Sequence, residues 1–102
     1  MLEAVRFARY AKMHKYIIKR RGHLEKFDER KVYASCYAAC LNCHLTKYEA
    51  EKIAEKATKK IKTWIKTKKQ ATSDDIFKEV IKTMNKLDKD AAFMYETHRD
   101  VN

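Results

Sequence analysis

The sequence predicts an α+β domain, mainly helical, in which a small N-terminal β-hairpin or three-stranded sheet caps a compact bundle of about four helices. Three observations predict it. Apolar residues recur at helical spacing through most of the chain after residue 28. Hydroxyl and carboxylate residues stand where those helices should begin. Gly22, the sole glycine, sits between two short apolar segments near the start, where positive φ without steric cost makes a tight turn.

The first element is residues 1–14, an amphipathic helix or extension with Leu2, Val5 and Ala8 on one side. The rest, residues 15–102, reads as one domain. In the hairpin, Tyr16, Ile17 and Ile18 are β-prone, Arg21-Gly22 turns the chain, and Leu24 and Phe27 resume the apolar pattern. Asp28 then caps a helix whose apolar positions are Val32, Tyr33, Cys36, Tyr37, Cys40 and Leu41. Thr46-Lys47-Tyr48-Glu49 has the spacing of a capping box, and Ile53, Ala57, Ile61, Trp64 and Ile65 face inward on the helix it opens, which ends near Lys68. Thr72-Ser73-Asp74-Asp75 opens a third helix, with Ile76, Val80, Ile81 and Met84 as its stripe. Leu87 to Lys89 breaks it. A last helix from about Asp90 carries Ala91, Ala92, Met94 and Tyr95 and ends in His98, Arg99 and Asp100.

Composition bounds the function. At 102 residues, 45% of them hydrophobic, the chain suits one domain with a packed core. It has no proline, no low-complexity tract and no apolar run approaching the ~20 residues of a membrane span. The start lacks the pattern of a secretory signal, and three cysteines fit a reducing compartment better than a disulfide scaffold. A cytoplasmic location is expected, with no membrane partner. The net charge of +10 invites a polyanion, and charge alone does not choose among nucleic acid, an anionic surface and a nucleotide. The excess gathers in residues 1–26 and in residues 56–69, which hold seven lysines and no acid. A solvated helix face is the plain reading of the second.

Catalytic machinery is not visible. No Walker loop, paired-carboxylate motif, Gly-rich dinucleotide turn or Ser-His-Asp pattern occurs, so no catalytic residue is assigned and no enzyme is expected. Cys40-Leu41-Asn42-Cys43-His44 has the spacing that attaches haem c, and with Cys36 offers zinc-type ligands. Cys36 and Cys40 lie on an apolar helix stripe, however, and no second ligand pair follows at finger spacing. Buried small hydrophobes are the better account, and no metal site is expected.

The hairpin brings charges together. Ile17 and Lys19 share one strand face, the turn folds Glu25 back toward them, and Lys31 lies one turn into the next helix. Cations and helix-start amides for phosphates, an aliphatic side chain against a base and a carboxylate for an exocyclic amine make a nucleotide's inventory. On spacing alone, a basic hairpin with unremarkable cations is the better account.

The run Ile17-Ile18-Lys19-Arg20-Arg21-Gly22, with Glu25, Phe27-Asp28 and Lys31-Val32, closely resembles the opening of the ATP-cone domain. That module senses nucleotides at the front of ribonucleotide reductase large subunits and in the repressor of their genes. The similarity continues through Thr46 to Ala50, Ile53-Ala54, Ser73-Asp74-Asp75-Ile76, and Ala91-Ala92 through Tyr95 and Arg99. The resemblance implies phosphate contacts by Lys19 and Arg20, adenine recognition by Glu25, apolar packing of base and ribose by Ile17 and Val32, a nearby cation from Lys31, and a hydroxyl near the phosphates from Ser73. At Arg21 the chain departs from the family, which usually has aspartate there. Neither a reductase barrel nor a paired-cysteine zinc ribbon accompanies the domain.

The expectation that follows is a stand-alone regulatory module that binds ATP or dATP, with Mg, as effector and without turnover. It would act by nucleotide-dependent association with itself or with a protein partner such as a ribonucleotide reductase or the transcriptional machinery. A basic nucleic-acid-binding protein is the alternative.

Overall fold

The computed structural model describes residues 16–18 and 24–97. The helix expected over residues 1–14, the turn at Gly22, the cations Lys19 and Arg20, and the segment from His98 onward lie outside them.

Tyr16–Ile18 (β1) pairs antiparallel with Leu24–Lys26 (β2), setting Tyr16 opposite Lys26, Ile17 opposite Glu25 and Ile18 opposite Leu24. A third strand of two residues, Ala71–Thr72 (β3), runs parallel to β1 on its other edge, giving the order β2-β1-β3. A sheet built wholly at the amino-terminal end and capping the bundle is therefore a correction. The strands are short pieces, and the third partner arrives from the middle of the chain. Two residues are too few to show a period of two, and Thr72 signals only a helix start in the sequence.

Four helices follow among the described residues: α1 (Glu29–Asn42), α2 (Lys47–Lys66), α3 (Ser73–Leu87) and α4 (Lys89–Thr97). Each starts where a side chain satisfies amides that the helix leaves open. Asp28 accepts from the Arg30 amide at 3.0 Å. Thr46 with Glu49, and Thr72 with Asp75, form complete capping boxes, each hydroxyl accepting from the third amide while that residue's carboxylate accepts from the cap's own. Asp88 ends α3 and its Oδ1 accepts from the Ala91 amide at 2.9 Å, so α4 begins at Lys89 with almost no connection.

The carboxyl end of α1 explains the Cys-Leu-Asn-Cys-His run. The Leu45 amide donates to the Cys40 carbonyl at 3.2 Å and the His44 amide to the Leu41 carbonyl at 3.1 Å, with His44 at φ 70°. These paired bonds are a Schellman motif, with histidine in the left-handed position that usually takes glycine.

The core lies between α1 and α2, with α4 packed on α1 and α3 packed on α2 and α4. Small residues line its central seam: Cys36, Ala39 and Cys40 of α1 meet Ala50, Ala54 and Ala57 of α2, all buried. Short side chains let the two backbones approach closely, and Ile61, Val80 and Met84 fill the space beside them. Leu41 is 38% exposed, against expectation, because the buried stripe of α1 passes through Ala39 instead. Tyr33 and Tyr37 are half-buried and stack, ring centroids 6.1 Å apart.

Candidate functional site

The antiparallel register places Glu25 directly opposite Ile17, so the two side chains rise from the same face of the hairpin. Chain direction then carries β2 through Phe27 into α1, whose first turn presents Lys31 back toward the strand. The Lys31 ammonium donates to Glu25 Oε1 at 2.8 Å. That bond to the carboxylate holds the Lys31 pKa above its ordinary value. The pair is solvent-exposed, so its contribution to stability is small, while its effect on where the carboxylate points is direct.

An open cavity of about 720 Å³ lies beside this pair, in the angle between β2, α1 and α2. Glu25, Phe27, Lys31, Tyr33 and Thr58 give it its character. Three carboxylates, Glu25, Asp28 and Glu29, are matched on its rim by three cations, Lys26, Arg30 and Lys31. Among the described residues the rim charges therefore balance. Lys62 reaches from α2 to Glu29 at 3.1 Å and ties α2 to the start of α1.

The amides at the start of α1 are partly engaged. Asp28 accepts from the Arg30 amide, and its carboxylate also takes the Arg30 guanidinium at 3.1 Å. Those bonds, the side-chain one first, lower the Asp28 pKa below the usual carboxylate value. An anion at this helix end would displace an internal carboxylate. The expectation that helix-start amides meet phosphates is thus better served elsewhere than at α1.

Val32 and Ile17 are 7% and 9% exposed, belong to the buried core and are not among the residues that line the cavity. Ser73 is the first residue of α3, directly after β3. Because β1 separates β3 from β2, Ser73 stands two strand spacings from β2, ~10 Å across the sheet. Glu25 and Lys31 are therefore brought together, Ile17 stands across the strand pair from Glu25, Val32 is in the core, and Ser73 sits at the far edge. Lys19 and Arg20 fall outside the described residues.

Thr58, Tyr33 and Phe27 also line the cavity, and the sequence reading assigned none of them to the site. Thr58 is 8% exposed, and its hydroxyl is enclosed with no hydrogen-bond partner among the described residues. Its signal was a hydroxyl residue inside the Ala57 to Ile61 stretch of an apolar helix face. Tyr33 is partly desolvated and near Glu51 and Glu55, and both effects push its phenol pKa up.

Two features of the arrangement suit a small organic ligand. The cavity falls within the ~300–1,000 Å³ that small-ligand sites enclose. Its polar groups include an oriented carboxylate able to accept from an amine. Among the described residues, no three of His, Cys, Asp or Glu are grouped to hold an ion.

Comparison with protein families matches residues 15–100 to the ATP cone domain. No curated protein matches the chain.

Proposed function

The chain belongs to the ATP-cone family, whose members are regulatory modules that bind adenine nucleotides as effectors, and from that premise we propose that its hairpin holds ATP or dATP without turnover. The observation that carries this reading is the 2.8 Å bond from Lys31 to Glu25 beside an electrically balanced cavity. A balanced rim suits the uncharged base better than a triphosphate. Glu25 accepts from the exocyclic amine of adenine, Lys31 orients that carboxylate, and Ile17 with Val32 supplies apolar packing for base and ribose.

The phosphates then extend across the hairpin toward Lys19 and Arg20, which follow β1, and toward the Ser73 hydroxyl at the start of α3. The ~10 Å between β2 and Ser73 is within the length of a nucleoside triphosphate. Mg accompanies the phosphates as their counter-ion, with no protein cluster assigned to it. Occupancy is read out by association of the domain with itself or with a partner such as a ribonucleotide reductase or the transcriptional machinery, through the helices that the hairpin rests on.

Isothermal titration tests the site. The parent protein should bind ATP or dATP with a dissociation constant of roughly micromolar order, the sum of a few charge-assisted contacts and base burial less association costs. Glu25→Ala and Lys31→Ala should each weaken binding about tenfold, discounting the contacts for their exposure. No heat with either nucleotide, or variants that match the parent, would remove the proposal.

A further inference from the structure

We infer that the carboxyl-terminal half of α2 is a docking face for the sugar-phosphate backbone of a duplex nucleic acid, independent of the nucleotide site. Helix α2 changes character at its middle. Its first half mixes signs, with Lys47 and Lys52 among Glu49, Glu51 and Glu55. From Lys56 onward the helix carries Lys56, Lys59, Lys60, Lys62 and Lys66 and no acid. At about 100° per residue these five occupy an arc of roughly 160°, opposite the buried Ala57, Ile61 and Ile65, over about 15 Å of axis.

Such a helix is under internal repulsion. Lys56 and Lys60, and likewise Lys62 and Lys66, are like charges one turn apart, an arrangement that destabilises a helix where an alternating pattern would support it. Among the described residues Lys62 forms an ion pair, with Glu29 at 3.1 Å, and Lys59 has Glu55 one turn before it. Lys56, Lys59, Lys60 and Lys66 are exposed, and no carboxylate among the described residues pairs with them. Thr63, the uncharged member of the arc, turns its hydroxyl inward to the Lys59 carbonyl at 3.1 Å. A polyanion laid along this face removes the repulsion that the fold leaves standing.

Three features select a duplex backbone. The cations from 56 to 69 are all lysine, flexible point charges suited to diffuse phosphates, and none is arginine, whose planar fork pairs carboxylates bidentately. The arc presents no apolar side chain for insertion into a bilayer, because the apolar face of α2 is spent on the core. A duplex presents one charge per ~1.7 Å of axis, dense enough for every lysine over this length to meet a phosphate.

Fluorescence anisotropy with mixed-sequence DNA and RNA duplexes across a salt series tests this inference. The parent should bind at low salt with log K falling against log salt at a slope of about −4, roughly 0.9 for each phosphate met. The double substitution Lys59→Gln, Lys66→Gln should make that slope shallower by about two, leaving the fold intact by circular dichroism. Which duplex binds tighter identifies the natural backbone. ATP titration of the same variant should match the parent, which separates this face from the hairpin site. No binding of either duplex by the parent, an unchanged slope in the variant, or equally tight lysine-dependent binding to phosphatidylserine vesicles or polyglutamate would overturn it.

Discussion

Single residues in this chain do work that their neighbours in sequence disguise. His44 lies in a run shaped like a haem-attachment motif, yet its backbone is the left-handed link of a helix end, held by bonds to Leu41 and Cys40. The Cβ of any residue but glycine is crowded in that conformation, by roughly 1–2 kcal/mol. His44→Gly should therefore raise stability by roughly 1 kcal/mol, measurable as a later midpoint in urea with an unchanged slope. A lower midpoint would mean that the imidazole makes a contact the backbone argument omits. Glu25 and Lys31 show the converse. Their proximity was legible in the sequence, since Lys31 lies one turn into the helix that follows the strand carrying Glu25.

Capping organises the elements more than propensity does. Thr46 and Thr72 each bond the third amide of the helix they open, at 3.1 Å and 3.0 Å. Thr72 has a second duty, since it also closes β3 beside Ile18 of β1. Replacing Thr46 by Ala should cost about 1 kcal/mol, the ordinary value of a lost cap. Thr72→Ala should match that loss in denaturant and, in addition, raise hydrogen exchange in β1, because the same residue joins helix and strand. Equal exchange in the two variants would show that β3 holds β1 without help from the cap. The helices and their starts were readable from these signatures. β3 was not, because a two-residue strand exists only through the partner that pairs with it.

At the scale of the whole molecule, the seam between α1 and α2 makes stability depend on alkaline pH. Burial pushes the Cys36 thiol up to about 12 and the Cys40 thiol up to about 11, from an ordinary value of 9.0. Above about pH 9 the unfolded chain releases these protons while the folded chain retains them, so the unfolded state binds fewer protons and stability falls as pH rises. The contribution is complete below pH 9 and disappears between there and the folded values. Thermal unfolding of Cys43→Ser, which leaves only the two seam thiols, should show this decline from pH 8 to 11, with little thiolate absorbance in the folded protein near pH 9. Thiolate appearing in the folded protein near pH 9 would contradict the packing of α1 on α2. Among the described residues, no helix is long and apolar enough to cross a membrane.

The sequence by itself determined the four helices, the caps of the first three and most of the polarity of their faces, because each rests on contacts within a few residues. It also carried the resemblance that the family match over residues 15–100 now establishes. Tertiary structure alone decided the rest. Strand register set Glu25 opposite Ile17, the crossing of α2 beneath α1 put Thr58 against the cavity, and the return of residues 71–72 to β1 brought Ser73 to the edge of the sheet. Each of these joins segments far apart in the chain, and such contacts are fixed by how the helices pack, a property no local pattern records.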